Sequence, residues 1–136
     1  MKKISLLILF LAIISCKKKD DKAKPLNEPF DVSQATLLKR GNFSSNAHTV
    51  SGCVSLYQSG NSKVVYLENF NADKGPDLKV YLSTSTGNTD IKDLGALKAN
   101  SGNFYYSLDT TNSNKYTYIL IWCREYSVLF GNSQLN

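Results

Sequence analysis

The chemistry-bearing residues that stand out in this sequence are its three cysteines. Cys16 ends an apolar N-terminal stretch, whereas Cys53 and Cys123 lie in the rest of the chain. Cys123 closes the most apolar run and precedes Arg124 and Glu125. A thiol reacts as its thiolate, which a neighbouring cation stabilises. Arg124 favours the thiolate and Glu125 opposes it, so these neighbours leave the reactivity of Cys123 open.

Cys53 and Cys123 have two structural interpretations beside the reactive one. In an oxidising compartment two cysteines commonly form a disulfide. The bond requires Cα atoms within about 7 Å of each other, which a sequence does not specify. The alternative is a pair of buried thiols that pack as small apolar side chains.

His48 is the only histidine. Together with the lack of a Cys-x-x-Cys pair, this predicts no metal site of the usual histidine or zinc type. We place His48 at the start of a strand, where it is either a structural residue or a ligand or proton shuttle.

The N-terminus has the pattern of a bacterial lipoprotein signal. Lys2 and Lys3 precede an apolar stretch, Ile4 to Ile14, which is too short for a membrane-spanning helix but fits a secretory signal. Ser15 and Cys16 follow, which resembles a lipobox. We expect residues 1–15 to be a signal peptide and Cys16 to carry the lipid that attaches the protein to a membrane of the cell envelope, the outer membrane or the cell surface rather than the inner membrane.

The residues after Cys16 are predicted to form a tether. Residues 16–36 are rich in Lys, Asp and Asn and include Pro25 and Pro29, a composition that does not bury enough apolar surface to fold. From Leu37 to Asn136 there are nine Lys and Arg against seven Asp and Glu. This near balance gives no electrostatic footprint for a nucleic acid, so we expect no nucleic-acid partner.

Residues 37–136 are predicted to be one all-β domain, an antiparallel sandwich or a barrel-like fold. Apolar and polar residues alternate in several short runs separated by Gly, Asn and Pro turns. The run from Tyr116 to Cys123 is apolar or aromatic on both faces, which predicts a central strand. The other runs are Lys63–Phe70, Leu78–Leu82, Phe104–Leu108, Tyr126–Phe130 and, weakened by Gly52, His48–Tyr57.

Six blocks spread along the domain resemble the DM13 domain family, in order, from Leu37 to Leu135. The most specific are Gly75-Pro76-Asp77-Leu78 and Trp122-Cys123. The blocks are Gly41-Asn42-Phe43, His48-x-Val50-x-Gly52, Leu67-Glu68-Asn69-Phe70, Gly75 to Ser83, Leu94-Gly95-x-Leu97-Lys98 and Ile121-Trp122-Cys123-x-x-Tyr126-Ser127-Val128-x-Phe130-Gly131.

The resemblance implies an all-β domain outside the cytoplasm that takes part in electron transfer or redox modification. It places the family's cysteine at Cys123, as a thiol or as a ligand to a prosthetic group such as haem. Apart from the resemblance, His48 is a further candidate ligand to such a group. Cys53 is an addition to the family pattern.

Two functional hypotheses follow. The first is a redox module that uses Cys123 together with a redox partner protein in the envelope. The second is a non-catalytic binding module whose cysteines are structural. The sequence assigns no enzymatic activity.

Overall fold

The computed structural model describes residues 23–109 and 113–136. The predicted signal peptide, Cys16 and the first residues of the predicted tether lie outside the described residues.

The described residues form two five-stranded sheets. The first has the order β1-β8-β5-β4-β2 and the second β3-β10-β9-β6-β7. All neighbouring strands are antiparallel except β1 and β8, which are parallel. The strands are β1 (Leu26–Asn27), β2 (Thr36–Asn42), β3 (Ser44–Ser45), β4 (Val50–Ser59), β5 (Ser62–Ala72), β6 (Leu78–Ser83), β7 (Ile91–Ala96), β8 (Ser101–Leu108), β9 (Tyr118–Cys123) and β10 (Val128–Gln134).

The hydrophobic core is built from the alternate residues of both sheets. Val65 and Leu67 of the first sheet and Val80 and Leu82 of the second belong to one buried cluster. Burial of alternate residues is the arrangement of an antiparallel sandwich, in which one face of each sheet is covered by the other sheet. The predicted all-β sandwich is therefore confirmed.

Strand β9 is buried on both faces. It lies between β10 and β6 in the middle of the second sheet. Ile119 and Ile121 belong to the core, and Leu120, on the opposite face, has no exposed surface either. The predicted central strand is confirmed.

The two sheets meet along one side, where β2 reaches the C-terminal end of the chain. The backbone N–H of Arg40 donates to the carbonyl of Asn136 at 3.0 Å, and the N–H of Asn136 donates back to Arg40 at 3.1 Å. Gly41 lies so close to Gln134 that a Cβ would overlap the carbonyl of Gln134. We call this junction the β2 seam.

Part of the predicted tether belongs to the folded domain. β1 pairs with β8, and Phe30 packs on the rings of Tyr57, Tyr66 and Tyr105 at centroid distances of 5.4, 5.2 and 5.6 Å. The prediction of a flexible tether up to residue 36 is therefore wrong for residues 26–36. It missed the fact that three tyrosines from three strands form a platform for one phenylalanine.

Other boundaries differ from the sequence predictions. His48 lies in a loop before β4, which begins at Val50. Two hydrogen bonds hold this loop: the Asp73 N–H donates to the Thr49 carbonyl, and the Thr49 N–H donates to the Asp73 carboxylate. Tyr126 lies in a turn before β10, and β7 was not predicted. The one helical element among the described residues is a 3-10 turn, Val32–Gln34, so none of their helices is long enough to cross a membrane.

Candidate functional site

Cys123 is enclosed in the core at one end of the sandwich. It is the last residue of β9, and its Cα pairs with Leu78 of β6 and Val128 of β10. Its side chain belongs to the core cluster, carries a free thiol and has 0% exposed surface. Cys123 therefore packs as a small apolar side chain, and a reactant reaches it only after a local movement.

Arg124, the residue after Cys123, is hydrogen-bonded to Asp77. The backbone N–H of Arg124 donates to the Asp77 carbonyl at 2.9 Å, and its Nε donates to Asp77 Oδ2 at 2.7 Å. This side-chain hydrogen bond raises the pKa of Arg124. The guanidinium that the sequence places beside Cys123 is thus engaged with a carboxylate, and it is 61% exposed.

The turn between β9 and β10 is exposed and carries an unusual backbone angle. All four residues from Arg124 to Ser127 are exposed, whereas Cys123 before them is buried. Ser127 has φ of 51°, a left-handed conformation that is uncommon outside glycine and stores of the order of 1–3 kcal/mol. The turn that directly follows Cys123 in the chain is therefore a strained surface turn.

Phe130 connects the loops at this end of the molecule. Its ring lies 4.0 Å from the ring of His48, between centroids. A Cβ on Gly75 would lie 2.8 Å from Phe130 Cζ and 2.9 Å from Leu78 Cδ2, so a larger residue here would push these two side chains aside. Leu78 pairs in turn with Cys123. We call residues 48–49, 73–78, 122–128 and 130 the Cys123 end.

His48 lies at the Cys123 end but on the solvent side. Its side chain is 46% exposed, and its Nδ1 is 3.7 Å from Asp73 Oδ2. The same carboxylate oxygen accepts the backbone N–H of Thr49 at 2.9 Å. Asp73 therefore holds the loop that carries His48, while Phe130 supports the imidazole ring.

Cys53 lies on the outer face of the first sheet in a polar environment. Its Sγ donates to Asn42 Oδ1 at 3.2 Å, and it is half-buried. Arg40 reaches Glu68 at 3.3 Å across the same face. The hydrogen bond of Arg40 to Cys53, followed by the charge of Glu68, raises the pKa of Arg40. We call Arg40, Asn42, Cys53 and Glu68 the Cys53 face.

A β-bulge sets the register of Cys53. Gly52 has φ of 108°, and a Cβ there would lie 2.7 Å from the Asn69 carbonyl oxygen. Asn69 on the facing strand has φ of 48°. The bulge shifts the pairing between Ser51 and Cys53, and bulges commonly re-aim the side chains that follow them.

The structure does not bring Cys53 and Cys123 together. Cys53 lies outside the core cluster on the first sheet, whereas Cys123 lies inside it on the second. Both are free thiols. The disulfide that the sequence left open is absent from this structure.

The described residues do not provide a site for the prosthetic groups considered above. Among them, no group of three or more His, Cys, Asp or Glu side chains is placed to hold a metal ion. A haem does not fit beside Cys123, because the sulfur is enclosed by core side chains that a macrocycle would have to displace.

A comparison with protein families identifies the domain. A profile described as "Electron transfer DM13" matches residues 42–135, more than half of the chain. The chain belongs to the DM13 family. This confirms the resemblance seen in the sequence, and the matched range contains both cysteines of the domain. Comparisons with curated proteins and with solved structures give no significant match.

The sequence pattern does not reveal the roles of Asp73 and Asp77 at the Cys123 end of this DM13 domain. Asp77 enters the sequence prediction only as part of the Gly-Pro-Asp-Leu block. The available signal was a carboxylate after a Gly-Pro turn and an arginine directly after Trp122-Cys123. Only the pairing of β6 with β9 shows that the two blocks meet.

Proposed function

We propose that this DM13 domain is a cell-envelope electron-transfer module whose redox group is the Cys123 thiol. The supporting observation is convergence: three segments that are far apart in sequence assemble at the Cys123 end. Leu78 and Val128 pair with Cys123, Asp77 binds Arg124, and Phe130 links Gly75 to His48.

The proposed chemistry is thiol–disulfide exchange with an envelope partner protein. The Cys123 thiol first loses its proton to solvent. Its thiolate then attacks a disulfide of the partner, forms one new S–S bond and releases the second partner sulfur as a thiolate. A thiolate of a reduced dithiol on a second envelope protein then attacks the Cys123 sulfur and releases the first partner as a dithiol. The other thiolate of that second protein displaces Cys123 as a thiolate and closes a disulfide, so one electron pair passes from the second protein to the first.

This exchange requires the turn from Arg124 to Ser127 to open. A sulfur with no exposed surface is protected from an attacking disulfide. The strain at Ser127 and the exposure of the whole turn lower the free energy of a local opening relative to global unfolding. The Asp77–Arg124 contact opposes the opening and thus controls access to Cys123.

The test is reaction of the native protein with an aromatic disulfide reagent over a series of low urea concentrations. The full chain carries Cys16→Ser and Cys53→Ser, so that Cys123 is the reporting thiol. Local opening makes the rate nearly independent of urea, whereas global unfolding makes it rise steeply. Arg124→Gln should speed the reaction by about threefold, because it removes an exposed ion pair that holds the turn closed. Arg40→Gln, which lies on the other sheet, is the matched control.

Two results would contradict this proposal. One is a Cys123 rate that follows global unfolding at every urea concentration. The other is an equal change of rate in Arg124→Gln and Arg40→Gln. Either result would leave Cys123 as a structural thiol and favour the binding-module hypothesis.

The envelope location rests on the N-terminal pattern, which supports a lipid on Cys16 and attachment to the outer membrane or cell surface. Cys16→Ser should abolish incorporation of a labelled fatty acid and leave the signal peptide uncleaved. The same incorporation in variant and wild type would end the lipoprotein assignment.

A further inference from the structure

A polar cavity lies on the β2 seam, at the edge of the first sheet opposite to β1. Its volume is about 800 Å³. Its lining residues come from β2, β3, β4, β9 and β10, from the loop after β6 and from the C-terminal residue. The members used below are Arg40, Asn42, Tyr118, Asn132, Gln134 and Asn136. Among the described residues that line it, every side chain except Arg40 is neutral.

We infer that this cavity is a binding site for a saccharide. Four carboxamide side chains and one tyrosine ring line it. A carboxamide presents a donor and an acceptor side by side, which matches two neighbouring sugar hydroxyls. An aromatic ring adds a flat apolar surface for the C–H face of a pyranose.

The hydrogen-bonding groups of the cavity are largely unused. Within the described part of the chain, the side chains of Gln134, Asn136 and Tyr118 make no hydrogen bond. Asn132 uses its Nδ2 for Asn46 at 2.7 Å and keeps its Oδ1. Asn42 uses its Oδ1 for Cys53 and keeps its Nδ2.

Paired strands hold these side chains in a fixed arrangement. Gln134 pairs with Tyr118 and Asn132 with Leu120 across β10 and β9. Both side chains on β10 therefore point to the outer face, two residues apart. A site on paired strands is more precisely ordered than one on a loop, so little ordering entropy opposes binding.

The backbone pattern favours a sugar over an added peptide strand. A peptide strand binds a sheet through unpaired edge N–H and C=O groups. At this seam the N–H and C=O of Arg40 are both bonded to Asn136, and Asn132 is paired with Ser44. The cavity thus offers side chains rather than a free edge.

The test is a titration of the nitrogen-15-labelled full chain, kept in mild detergent, with cellopentaose, maltopentaose and chitopentaose. Concentrations up to about 10 mM detect dissociation constants in the millimolar range, about −4 kcal/mol. At least one sugar should shift the side-chain amide signals of Asn132 and Gln134. Gln134→Ala should weaken that binding by about tenfold, and Asn61→Ala, in the β4–β5 turn, should not change it.

The inference is wrong if none of the three sugars shifts these signals, or if the shifts are equally strong in Gln134→Ala. It is also wrong if a short alternating Thr-Val peptide shifts the cavity signals and the sugars do not, a result that would assign the seam to peptide binding. The outcome is independent of Cys123 and of its redox chemistry.

Discussion

The Cys123 end and the Cys53 face place the same side chain in opposite environments. Cys123 is enclosed between apolar strands, whereas Cys53 is half-buried and bonded to Asn42. The thiol that we propose as the redox group is thus the inaccessible one. That proposal rests on the convergence of distant segments at Cys123 and not on its exposure.

The largest expected effect comes from removing the ring that joins the loops of the Cys123 end. Phe130 is buried, so Phe130→Ala should lower the free energy of unfolding by about 3–5 kcal/mol through lost burial and a cavity. Leu37→Ala, at an exposed position of β2, is the control and should stay within about 0.5 kcal/mol. Urea denaturation measures both, and similar losses would remove the distinction between the two regions.

Alkylation of the wild-type protein compares the two thiols directly. Iodoacetamide should modify Cys53 at least about a thousandfold faster than Cys123, which corresponds to an opening free energy of about 4 kcal/mol. Peptide mass spectrometry over time gives both rates in one sample. Rates within tenfold of each other would show that Cys123 is not enclosed in solution.

Serine substitutions at the two cysteines should change the stability of the domain by different amounts. Cys123→Ser buries a hydroxyl among apolar side chains and should reduce the free energy of unfolding by about 1–3 kcal/mol. Cys53→Ser keeps a donor for Asn42 and should change it by less than about 0.5 kcal/mol. Thermal and urea denaturation check this, and equal losses would contradict the assigned environments.

The smallest expected effects concern the two ion pairs. Glu68→Gln, at the Arg40 pair, and Asp77→Asn, at the Arg124 pair, should each reduce stability by less than about 1 kcal/mol, because both cations are exposed. Only Asp77→Asn should increase the rate at which Cys123 reacts with the disulfide reagent. An increase with Glu68→Gln as well would mean that the effect is general loosening of the domain.

Much of the fold was predictable because alternation is a local property. The runs at Leu78–Leu82 and Lys63–Phe70 alternate as half-buried strands do, and both became strands. β7 was not predicted, because Gly95 and two charged residues interrupt its apolar alternation at a sheet edge. The packing of Phe30 was not predicted, because its partners, Tyr57, Tyr66 and Tyr105, come from three separate strands.

The candidate site was predictable only in part. Cys123 and the Gly-Pro-Asp-Leu block were singled out separately, but nothing in the sequence placed Asp77 on Arg124. That contact depends on the register between β6 and β9, which sets Leu78 opposite Cys123. Strand register is a long-range property, since the hydrogen bonds that fix it join residues far apart in the chain.

The sequence by itself determined the all-β class, the DM13 family and the central position of β9. These follow from local periodicity and from ordered blocks of residues. Only the tertiary structure decided that Cys123 faces the core, that Cys53 faces outward, and that the two thiols stay apart. A strand that is apolar on both faces does not reveal which face meets the other sheet, and the bulge at Gly52 shifts the register before Cys53.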